Sequence, residues 1–93
     1  MSEDKFAILR RRFCARTAGQ AKELRASIDR GDLRAPEIER LAHAIAGIGA
    51  MLGFREVAAA ASAVDDQYAA GQLPSREALE ALLTAMEAVD PAG

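Results

Sequence analysis

Apolar residues recur along this chain every three, four or seven positions, and they nowhere alternate with polar ones over the length of a strand. Four stretches carry the helical period. In the first, residues 4–29, Phe6, Leu9, Phe13, Thr17, Leu24 and Ile28 form one stripe. Residues 30–35 break it, and Pro36 suits the first turn of a second helix, where its missing N–H leaves no bond unmade. That helix is expected over 36–52, with Gly53 as a left-handed terminator and Phe54 opening a third helix over 54–70. Val57, Ala60, Ala61, Val64 and Tyr68 share a stripe there. Residues 71–75 read as a turn, and Ser75 as the N-cap of a fourth helix over 76–89. Leu79, Leu82, Leu83, Met86 and Val89 form its buried side, and Pro91 stops it. Short connections between amphipathic helices predict a single domain over 1–93. The expected fold is all-α, an antiparallel up-down-up-down four-helix bundle whose longer N-terminal helix projects from or covers one end.

Composition refines the core. Hydrophobic residues make up 51% of the 93, but 22 of them are Ala, and Trp is absent. The core must therefore mesh Leu, Ile and Val with small residues, which suits close helix packing. The net charge of −2 is unevenly spread: residues 1–34 carry nine Lys/Arg against five Asp/Glu, residues 35–93 three against nine. Arg10, Arg11 and Arg12 stand in a row, but three successive positions span about 200° of a helix and form no single patch. They read as a solvated polar face, part of which is available to an acidic partner. The acidic remainder and the lack of stacking aromatics argue against nucleic acid as a partner, and none is expected. Cys14 is alone, so no internal disulfide forms, which fits a reducing compartment. No apolar run approaches membrane-spanning length and the first residues lack a signal-peptide core, so we expect a cytoplasmic protein with no membrane partner. Four helices of this length close a core unaided, and a monomer is expected.

The only histidine, His43, poses the functional question. At 100° per residue, Ile38, Leu41, Ile45, Ile48 and Leu52 fall in one arc that should face the core, with His43 roughly 180° away. Its neighbours one turn on are Ala46, Gly47 and Ala50; one turn back are Glu39 and Arg40. An exposed helix face normally carries long polar side chains, and an interior Gly costs about 1 kcal/mol relative to Ala. Small residues at Gly49, nearer the core, are explained by close helix packing. Gly47 is not, because His43 on the same side would have to be buried too. The pared face therefore reads as ground cleared around an accessible imidazole. One His and a distant Cys14 supply no metal site, and nothing places Cys14 with His43 as nucleophile and base. What remains is the imidazole itself as nucleophile, able to accept a phosphoryl group if a partner supplies metal and geometry.

"LAHAIAGIGAMLGF", followed by "REVAAAASAVDD", resembles the signature helix of histidine phosphotransfer (HPt) domains. His43, Ile45, Gly47, Gly49, Leu52, Gly53 and Phe54 match that pattern without gaps, and the resemblance covers essentially the whole chain. It implies a stoichiometric phosphocarrier rather than an enzyme, working in a multistep phosphorelay of two-component signalling. His43 would accept a phosphoryl group from a receiver-domain aspartate and pass it to another receiver. The implied partners are response-regulator receiver domains and a hybrid histidine kinase. No cofactor is intrinsic; Mg²⁺ is expected on the receiver. Ala46, Gly47, Ala50 and Asp65 are the expected neighbours of the phosphoryl group, and Glu39, Arg40 and Arg55 the expected receiver-docking residues. Two positions depart from the family pattern. Ala46 stands where Lys is common, which removes one exposed charge worth about 0–1 kcal/mol. Asp65 stands where Gln is common, and its carboxylate is expected to repel a phosphoryl group unless Arg40 or Arg55 offsets it.

Two rival readings share this fold. One is an interaction module that binds a receiver or kinase without transferring phosphate, Ala46 and Asp65 marking lost chemistry. The other is a helical adaptor that binds through its basic first helix.

Overall fold

The computed structural model describes residues 4–92, which form four α-helices with no strand among them. They are α1 (Lys5–Arg30), α2 (Pro36–Met51), α3 (Arg55–Ala69) and α4 (Arg76–Glu87).

Each start has a local cause. The Asp4 carboxylate accepts from the Phe6 amide, and Ser75 Oγ accepts from the Ala78 amide, each satisfying a donor that the first turn leaves open. Pro36 opens α2, with Glu37 and Glu39 in the turn where the helix dipole favours negative charge. Between α2 and α3 the chain reverses at Gly53, whose φ of +87° a side chain would strain.

The core is built from Phe13 and Leu24 of α1, Ile38 and Ile45 of α2, Val57 and Val64 of α3, and Leu79, Leu82, Leu83 and Met86 of α4. Phe13 stacks on Phe54 at 5.0 Å between ring centroids. Thr17 is buried, while Phe6 and Leu9, earlier on the expected stripe of α1, are exposed. Cys14 lies in the core, where burial pushes its thiol pKa up despite the nearby Arg10 charge.

The buried face of α2 differs from the arc of large residues. Ile48 is 39% exposed and Leu41 half-buried, while the fully buried line is Ile38, Ala42, Ile45 and Gly49. Close packing against α3 is the reason. A Cβ on Gly49 would stand 3.4 Å from the Cβ of Ala58 and 3.6 Å from Val57, so the two backbones approach through small residues. That contact turns α2 toward α3 and swings Ile48 outward toward α1, which touches α2 only lightly.

Candidate functional site

The turn of α2 relocates His43. At 100° per residue it lies about 130° from the centre of the buried line, not opposite it, and on the flank that faces α3. It is still open to solvent, its side chain 80% exposed. On that flank it meets Asp65 of α3: His43 Nδ1 is 3.0 Å from Asp65 Oδ2. An ionised carboxylate only accepts, so the bond calls for a proton on Nδ1, and the neutral ring then carries its lone pair on Nε2. Sequence reasoning paired these residues by position but read Asp65 only as a source of repulsion.

An open cleft beside the imidazole is lined by Glu39, Arg40, Asp65, Tyr68 and Ala69. Tyr68 Oη donates to the Leu33 carbonyl at 2.7 Å, tying α3 to the α1–α2 connection. Its pKa is raised, first by burial and then by the negative charges of Glu39 and Asp32.

The small residues around His43 divide into two kinds. Ala46 is half-buried and packs against the core. Gly47 and Ala50 are exposed, and nothing lies within 4 Å of the place a Gly47 Cβ would occupy. The fold therefore does not require glycine at 47. Arg55 stands apart, in a hollow at the α2–α3 corner with Gly53, Phe54, Glu56 and Asp90. Cys14, in the core, does not join His43, and the described residues contain no cluster of three or more His, Cys, Asp or Glu able to hold a metal.

Two features went unseen in the sequence. One is an apolar groove between α1 and α2, lined by Leu9, Phe13, Ile48 and Met51 and bordered by Arg12 and Arg16. It exists because α2 turns toward α3 and away from α1. The other is Arg10, which is not simply solvated: its guanidinium donates to the Leu52 carbonyl and to Pro91 O, and lies 4.3 Å from the centre of the Phe54 ring. A run of three arginines carries no sign that one of them turns inward.

The family model for the Hpt domain matches residues 8–92. The chain belongs to the Hpt domain family. Histidine phosphotransfer in phosphorelay signalling is the general function of that family, whose members are phosphocarriers interacting with receiver domains and histidine kinases. The chain matches no curated protein and no solved structure. Among the described residues, no helix is long and apolar enough to cross a membrane.

Proposed function

We propose that His43 is the phosphoryl acceptor and donor of a cytoplasmic phosphorelay, taking the group from the aspartate of one receiver domain and passing it to another. The observation that carries this reading is the exposed imidazole whose Nδ1 is held by Asp65, beside a face cleared at Gly47. In the transfer, the Nε2 lone pair forms the N–P bond while the bond from phosphorus to the aspartyl oxygen breaks, returning the receiver's carboxylate. The Nδ1 proton stays in the bond to Asp65. The ring gains positive charge as Nε2 becomes bonded to phosphorus, and the Asp65 carboxylate lies against that charge. Nucleophile, exposure and orientation come from this chain; Mg²⁺ and the acidic pocket come with the receiver.

Docking follows from the surface around the histidine. Glu39 and Arg40 flank it, whereas Arg55, at the start of α3, and the apolar groove with Arg12 and Arg16, on the α1 side of α2, lie apart from it. An acidic receiver pocket suits those arginines. The short connections between successive helices support an antiparallel up-down-up-down bundle, and one copy of the chain suffices for the chemistry.

Labelling with a phosphorylated receiver tests the reading. The protein should gain an acid-labile phosphoryl group and His43→Gln should gain none. Equal labelling of the two would sink the assignment. Receiver binding that survives His43→Gln, with no transfer in either direction, would establish the interaction module, for which the missing lysine at Ala46 speaks.

A further inference from the structure

A phosphoryl group on His43 would make the cleft beside it markedly more negative. Glu39, Asp65 and Arg40 line it, one cation against two carboxylates. A phosphoryl group brings about two further negative charges at neutral pH. Ala46, one turn beyond the histidine, is half-buried and contributes no charge. Arg40, one turn before it, is exposed, and its guanidinium has no hydrogen bond, ion pair or ring contact among the described residues. Positions three apart on a helix are neighbours, about 5–6 Å between Cβ atoms, within the span of an arginine fork. Arg55, the other cation on this side of the sequence, lines a separate hollow at the α2–α3 corner.

We infer that Arg40 is the phosphoryl-binding cation of this protein: its guanidinium pairs with the phosphoryl oxygens on His43 Nε2 from the N-terminal side of the imidazole. It thereby offsets Asp65 and Glu39, the two carboxylates that would otherwise face the incoming charge alone. Asp65 is left to hold Nδ1. That division of labour would let a site with a carboxylate against its histidine accept a second anion. The inference rests on the phosphocarrier reading.

The test uses phosphoramidate, which phosphorylates imidazole without a receiver: the new N–P bond forms at Nε2, the donor's P–N bond breaks, and ammonia leaves. The parent protein, Arg40→Ala and Arg40→Lys are labelled, and the last ionisation of the phosphoryl group is followed by ³¹P NMR across pH. A neighbouring cation favours the dianion, so its loss should raise the midpoint in Arg40→Ala, by about 0.2–0.7 pH unit for an exposed pair. Arg40→Lys, which keeps the charge but not the fork, should fall between the two, and the three midpoints should converge in high salt. Occupancy at equilibrium should drop about two- to five-fold in Arg40→Ala. Circular dichroism checks that each variant is folded, and a purely structural role would not move the phosphoryl midpoint of a folded variant. Equal midpoints in labelled, folded proteins would overturn the role of Arg40 and leave the phosphocarrier reading standing. A folded parent whose His43 takes no phosphoryl group from phosphoramidate or from a phosphorylated receiver would overturn both.

Discussion

Asp65 holds the Nδ1 proton of His43, and the sign of its effect depends on the state of the ring. Toward a phosphoryl group in solution it is a repelling charge. Toward an imidazole that becomes cationic in the proposed transfer it is a counter-charge, and in that proposal the 3.0 Å hydrogen bond keeps Nδ1 occupied and Nε2 available. Asp65→Ala removes both charge and acceptor, whereas Asp65→Asn keeps an acceptor oxygen for Nδ1–H. Net hydrogen-bond energies of about 0.5–1.5 kcal/mol predict a two- to ten-fold slower phosphorylation of Asp65→Ala, with Asp65→Asn between it and the parent. Initial rates of labelling measure this, and ¹⁵N spectra of the imidazole report the tautomer directly. Faster labelling of Asp65→Ala would mean that repulsion is the larger effect.

At the scale of the helix, α2 carries two kinds of glycine. Gly49 lies in the α2–α3 contact, where a larger side chain would meet Ala58, Val57 and the Phe13 ring. Gly47 has helical backbone and open space, so the fold gains nothing from it. Gly47→Ala should therefore stabilise the protein by about 0.5–1 kcal/mol, seen as a thermal melting point a few degrees higher. Gly47→Leu should fold equally well yet slow transfer from a receiver, because the lost space is the partner's. If Gly47→Leu transfers as fast as the parent, the cleared face has no part in docking. The helices themselves were legible: period, Pro36, Gly53 and Ser75 place all four to within a few residues. The rotation of α2 was not. Hydrophobicity points the largest apolar residues inward, but alanine and glycine allow a closer approach, and at Ala42 and Gly49 that approach wins. The histidine was therefore visible in the sequence as an exposed residue, while its bond to Asp65 depended on a rotation that the pattern does not encode.

Across the whole molecule, Arg10 joins parts of the chain that are far apart in sequence. From α1 it reaches the carbonyl that ends α2, covers the Phe54 ring that begins α3, and bonds Pro91 O, 81 residues away, at 3.2 Å. A Cβ at Gly53 would stand 3.2 Å from its guanidinium, so the corner and the arginine are fitted to each other. Such a contact has no sequence signature, because it depends on three elements meeting at one end of the bundle. Arg10→Ala leaves the Leu52 carbonyl without its donor and the ring without its cation. The expected loss is about 2 kcal/mol, a fall of roughly 10 °C in Tm followed at 222 nm. An unchanged melting point would return Arg10 to the solvated face. The same contact bears on the adaptor reading: charge reversal at Arg10 would disturb the fold as well as any partner, so it is a poor test of binding by α1.

The chain has one tyrosine and no tryptophan, and that tyrosine stands in the cleft beside His43 and Arg40. All near-ultraviolet indole-type background is thus missing, and emission excited at the phenol band comes from a single ring in the cleft beside His43. Tyr68 therefore offers a dye-free test of the proposed loading of His43: its emission is expected to change as phosphoramidate is added to the parent protein and to stay constant in His43→Gln.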